Sequence, residues 1–109
     1  MALELTKLVT DMLSAARGVF EEKWPDVKDY AEAEFKKIGE CLLMIERLKL
    51  QGKVTEEQAR LHLDIQKNSA RTVLLTLEGL HILLVEEAIN AALKIIRDAV
   101  NTALGWRLV

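Results

Sequence analysis

Apolar residues recur along this chain at three- and four-residue steps, the period of an α-helix. Leu5, Leu8, Val9, Met12, Ala16, Val19 and Phe20 make one stripe and predict a first helix from about Leu3 to Glu22. Trp24-Pro25-Asp26 ends it and opens the next, because proline suits a first helical turn and acids suit the positive helix N-terminus. The second helix is expected from about Asp26 to Leu50. Its seam reads Val27, Ala31, Glu34, Ile38, Cys41, Ile45 and Leu48, like the a/d line of a coiled coil, with Glu34 as its one carboxylate. Gln51-Gly52-Lys53-Val54 reads as a hairpin turn. Thr55-Glu56-Glu57-Gln58 follows as a capping box, in which the Thr hydroxyl and the Gln side chain each satisfy an open backbone N–H.

From Thr55 the helical period persists to Leu104, and Gly105 is a natural stop. One seam carries Leu61, Ile65, Asn68, Thr72, Leu75, Gly79, Ile82 and Glu86. Further faces carry Leu74, Glu78, His81 and Val85, and Val73, Leu77, Leu80 and Leu84, so residues 72–85 are apolar nearly all round. An unbroken helix over 55–104 would be about 75 Å long. A compact domain of this size is only roughly 35 Å across. Either the helix breaks, at Gly79 or at Glu87–Asn90, or other subunits cover it. The expected architecture is all-α: a helical hairpin, a shorter helix before it and a long third helix, completing a four-helix-type bundle by oligomerisation.

Composition agrees with this and narrows the function. The 109 residues are 50% hydrophobic, with one Pro and five Gly, which leaves little to punctuate a many-stranded fold. Length and composition fit one globular domain over residues 1–109. The single cysteine, Cys41, precludes an internal disulfide. The formal charge is −2, with acids and bases evenly spread, so no basic face announces nucleic acid. Clusters such as Lys36-Lys37 and Arg47/Lys49/Lys53 are interleaved with Glu40 and Glu46 and read as solvated faces. The N-terminus has no signal-peptide pattern. Glu78, His81, Glu86, Glu87, Asn90 and Lys94 interrupt the most apolar stretch, which argues against a membrane span. The cytoplasm is the expected compartment.

One motif carries chemistry. Glu78-Gly79-Leu80-His81 is a Glu-x-x-His pair, and on a helix residues three apart share a face and can reach one metal ion. A carboxylate and an imidazole suit iron, manganese or zinc. The pair resembles the Glu-x-x-His of the ferritin-like di-iron carboxylate proteins, whose four-helix bundles hold two such pairs and two further Glu around two metals. With one copy per chain, the layout is most similar to the short hairpin ferritins, including the encapsulated kind, in which two subunits each bring one Glu-x-x-His and one upstream Glu. The resemblance implies a homo-oligomer, dimer or higher, that binds iron or another divalent metal. It also implies Fe(II) oxidation or oxygen activation if the protein is an enzyme. Only Glu78 and His81 match the motif residue by residue.

The upstream carboxylate follows from register. In a hairpin centred near Gly52-Lys53, Glu78 lies level with Val27. Glu34 faces the seam best, while Glu32 is nearer in level but flanks it, so the candidate ligands are Glu34, Glu78 and His81. The same register sets Glu34 opposite Arg71, and a buried polar cluster of Glu34, Arg71, Glu78 and His81 is the competing reading. The protein is then a non-enzymatic helical oligomerisation or scaffold module, its polar cluster setting register. Glu86 is expected at the surface, capping a break or reaching a neighbouring subunit. His62 is expected in solvent, Cys41 in the core with no histidine at its level, and Trp24 and Trp106 at helix ends as candidate anchors for subunit contacts.

Overall fold

The structure, a computed structural model, describes residues 2–109. Every regular element among them is helical: α1 (Leu5–Phe20), a short 3₁₀ turn (Glu21–Lys23), α2 (Trp24–Leu50), α3 (Glu56–Leu75) and α4 (Ile82–Leu104). The helices pack in a ring in chain order, α1 on α2, α2 on α3, α3 on α4 and α4 back on α1, each antiparallel to its neighbours. The molecule measures 43 × 22 × 19 Å.

The expected third helix is two helices. Of the two break points left open, the chain uses Gly79, whose φ of +82° belongs to the left-handed region that side chains with a Cβ avoid. Leu75 closes α3, and α4 starts only at Ile82. Packing supplies the reason. By folding back, α4 lays Val85, Ala88, Ile89, Ala92, Ile96, Val100 and Leu104 into the core against the Leu8, Met12, Ala16 and Phe20 stripe of α1. One chain therefore provides all four helices around a shared core, where a straight helix would have left that surface in water.

Chain reversals follow local chemistry. After α2, Lys53 N–H donates to the Leu48 carbonyl (2.8 Å) and Gly52 N–H to that of Lys49 (2.9 Å), with Gly52 at φ +67°. That is a Schellman closure around a left-handed glycine. The Thr55 capping box forms as its sequence predicts: Gln58 N–H donates to Thr55 Oγ1 (3.1 Å) and Thr55 N–H to Gln58 Oε1 (3.0 Å). Gly105, at φ +71°, caps α4. The first corner differs from expectation. Helix α1 stops at Phe20, not Glu22, and Glu21 takes a positive φ of 52° as the first residue of the 3₁₀ turn, while the Phe20 and Trp24 rings stack at 6.3 Å. Trp24 and Trp106 are both partly buried against the core, and Trp106 also lies under the Lys49 ammonium at 4.7 Å.

α3 is the thinnest contributor to the core. Its buried residues are Ala59, Leu63, Ala70 and Leu74, two alanines and two leucines over 20 residues. Its larger apolar residues lie on the opposite side, where Leu61 is 59% exposed, Ile65 62% and Leu75 36%.

Candidate functional site

The Glu-x-x-His pair is not on a helix. Glu78 belongs to the turn between α3 and α4, and His81 is the N-cap of α4, with extended backbone at φ −117° and ψ 166°. His81 Nδ1 accepts from the Leu84 N–H at 3.4 Å, a capping role that commits one ring nitrogen to the helix start. The expectation that the pair shares a buried helical face is therefore corrected: both residues are exposed, because the turn they occupy is at one end of the bundle. The level read from the hairpin register does hold. Glu78 lines a cleft with Val27, Asp26, Tyr30 and Lys23, and Lys23 Nζ donates to the Gly79 carbonyl at 2.9 Å, clamping the turn to the start of α2.

Glu34 is buried, 4% exposed, in the middle of α2 and away from that turn. Ser69 Oγ donates to its Oε1 at 3.1 Å from α3, and Lys37 Nζ to its Oε2 at 2.9 Å. Both carboxylate oxygens thus have a donor, which offsets the cost of burying the charge. The expected Glu34–Arg71 bridge does not form. Arg71 instead joins Glu86 across α3 and α4 and donates to Asn68 Oδ1. The Arg71 hydrogen bond holds the Glu86 carboxyl below its ordinary range, against a smaller opposing effect of burial. Glu86 is partly buried in this pair and neither caps the break nor stands free. Glu32 is exposed on α2, in a shallow groove toward α1.

Three candidate ligands are thus divided between two places, Glu34 in the bundle wall and Glu78 and His81 in an end turn. Among the described residues no group of three or more His, Cys, Asp or Glu side chains could hold a metal ion. Within one chain, Glu34 does not meet Glu78 and His81.

Two placements escaped sequence reasoning. Glu46, read as part of a solvated face, is 4% exposed and accepts from the Ala2 N–H (3.1 Å) and the Leu3 N–H (3.3 Å). Nothing local distinguishes it from Glu40; only the docking of the N-terminal segment does. Cys41 is in the core as expected, its thiol pushed up to about 11 by burial, yet His62 lines the same α2–α3 groove, contrary to expectation. Burial thus favours the protonated thiol.

No helix among the described residues is long and apolar enough to cross a membrane. Comparison with family models, with curated proteins and with solved structures found no match to this chain.

Proposed function

We propose that this protein is a non-enzymatic helical module that associates with a second copy of itself through the outer face of α3. The observation that carries the reading is the stripe Leu61, Ile65, Asn68, Thr72 and Leu75, spaced four, three, four and three, exposed along its whole length on a chain whose core is otherwise closed. That spacing is the seam of a two-helix coiled coil. The stripe is also self-complementary. In an antiparallel pair of α3 helices, the shift that sets Ile65 against Leu75 of the partner subunit also sets Asn68 against Thr72 of the partner subunit. Apolar then meets apolar and polar meets polar, twice, by the two-fold axis. Asn68 Oδ1 already accepts from Arg71, which leaves its amide N–H groups for a threonine hydroxyl. Ile82 and Leu83, exposed in the first turn of α4, extend the apolar surface at the Leu75 end.

The iron-binding reading draws no support from the placement of Glu34, Glu78 and His81, so association stands here without metal chemistry. Sedimentation equilibrium over a wide concentration range is the test. The apparent mass is expected to rise toward two chains in the parent, to stay at one chain in Ile65→Lys, and to rise at lower concentration in Asn68→Leu. One chain at every concentration up to millimolar, or an Ile65→Lys protein that still pairs, would overturn the proposal.

A further inference from the structure

A second surface, away from the α3 stripe, is built from the facing flanks of α3 and α4. Arg60, Asp64 and Lys67 lie at helical spacing on one wall, and Asn90, Lys94 and Arg97 on the other. Leu63, Leu93 and Leu108 form the floor, all buried, and Val109 closes one end. The cleft holds about 320 Å³, the lower end of the range for small-molecule sites.

Its charge is out of proportion to the chain. The protein as a whole carries −2, yet four of the six basic residues in 55–109 line this cleft, where Asp64 is the one acidic side chain. The partners these cations have are peripheral. Arg60 meets Glu56 at 3.3 Å and donates to the Arg107 carbonyl at 3.2 Å, and Arg97 meets the almost fully exposed Asp98 at 3.7 Å. Neither Lys67 nor Lys94 forms an ion pair among the described residues. An anion bearing two charges is attracted to cations on both walls of an apolar floor more strongly than one bearing a single charge. Arginine supplies a fork of donors suited to tetrahedral oxyanions, lysine a point charge. The floor accommodates an organic substituent, which inorganic phosphate lacks.

We propose that this cleft binds a soluble phosphate monoester, its phosphate among Arg60, Lys67, Lys94 and Arg97 and its organic group over Leu63, Leu93 and Leu108. The test is an amide chemical-shift titration of the full chain with phenyl phosphate at constant ionic strength, with chloride as the control anion. Saturable shifts centred on Lys67, Asn90, Lys94 and Leu108 are expected. The double variant Lys67→Gln/Lys94→Gln, changed only at surface positions, should bind at least about tenfold more weakly, the loss typical of a charge-assisted contact. Shifts that grow linearly without saturating, that chloride reproduces, or that persist unchanged in the double variant would overturn it. So would co-sedimentation with phosphatidic acid vesicles but not neutral ones while phenyl phosphate leaves the spectrum unmoved, since the phosphate would then be a membrane's.

Discussion

Two glycines, Gly18 and Gly79, behave differently because their surroundings differ. Gly18, inside α1, has nothing within 4 Å of where a Cβ would stand and has no positive φ. Gly18→Ala is expected to stabilise the protein by about 0.5–1 kcal/mol, by removing unfolded-state freedom from a helical position. Gly79 has the opposite character, since at φ +82° a side chain is strained and its Cβ would approach the Lys23 ammonium at 3.0 Å. Gly79→Ala should cost about 1–2 kcal/mol. Urea denaturation of the two variants beside the parent checks both signs, and a destabilising Gly18→Ala would contradict the packing described. Glu21 adopts a positive φ without being glycine, at a corner that Trp24-Pro25-Asp26 announces while leaving the last residue of α1, Phe20, unmarked.

Between elements, the Arg71–Glu86 pair is the side-chain ion pair joining α3 to α4 among the described residues. Because Glu86 is held below its ordinary value of 4.5, its contribution is fully present above that pH and is lost as pH falls through the folded-state value. Arg71 is raised by the same bond and stays charged throughout, so it adds no pH dependence in this range. The pair is partly exposed and is worth up to about 1 kcal/mol. The stability gap between the parent and Glu86→Gln is expected near neutral pH and should close as pH falls through the folded-state value, which lies below 4.5. A gap that stays constant with pH would assign the effect of the substitution to packing. How far such elements are legible in sequence depends on the range of the contact. The Thr55 box, Gly52 and Gly105 are short-range devices and stand where their residue types predict. The pairings of Arg71 with Glu86, Glu34 with Ser69 and Glu46 with the N-terminal segment join positions 15, 35 and 43–44 residues apart. Periodicity gives each residue a face, but not the partner that face will meet.

For the whole molecule, the same limit leaves the sequence with two possible break points. The apolar period runs on past Gly79, so only the gain from folding α4 onto α1 selects the turn. It also explains the candidate site, where a three-residue spacing implies a shared face only if the helix continues through it. A last consequence follows from the slender inner face of α3. With Ala59, Leu63, Ala70 and Leu74 as its buried anchors, α3 withdraws the least apolar surface of the four helices, and the local stability of an element scales with what it buries. Its backbone amides are expected to exchange with deuterium sooner than those in the middle of α2 and α4. If copies pair through α3, that exchange slows as protein concentration rises, while the rates in α1 and α2 stay put. The helix with the weakest hold on its own chain would then record, amide by amide, whether a neighbour is present.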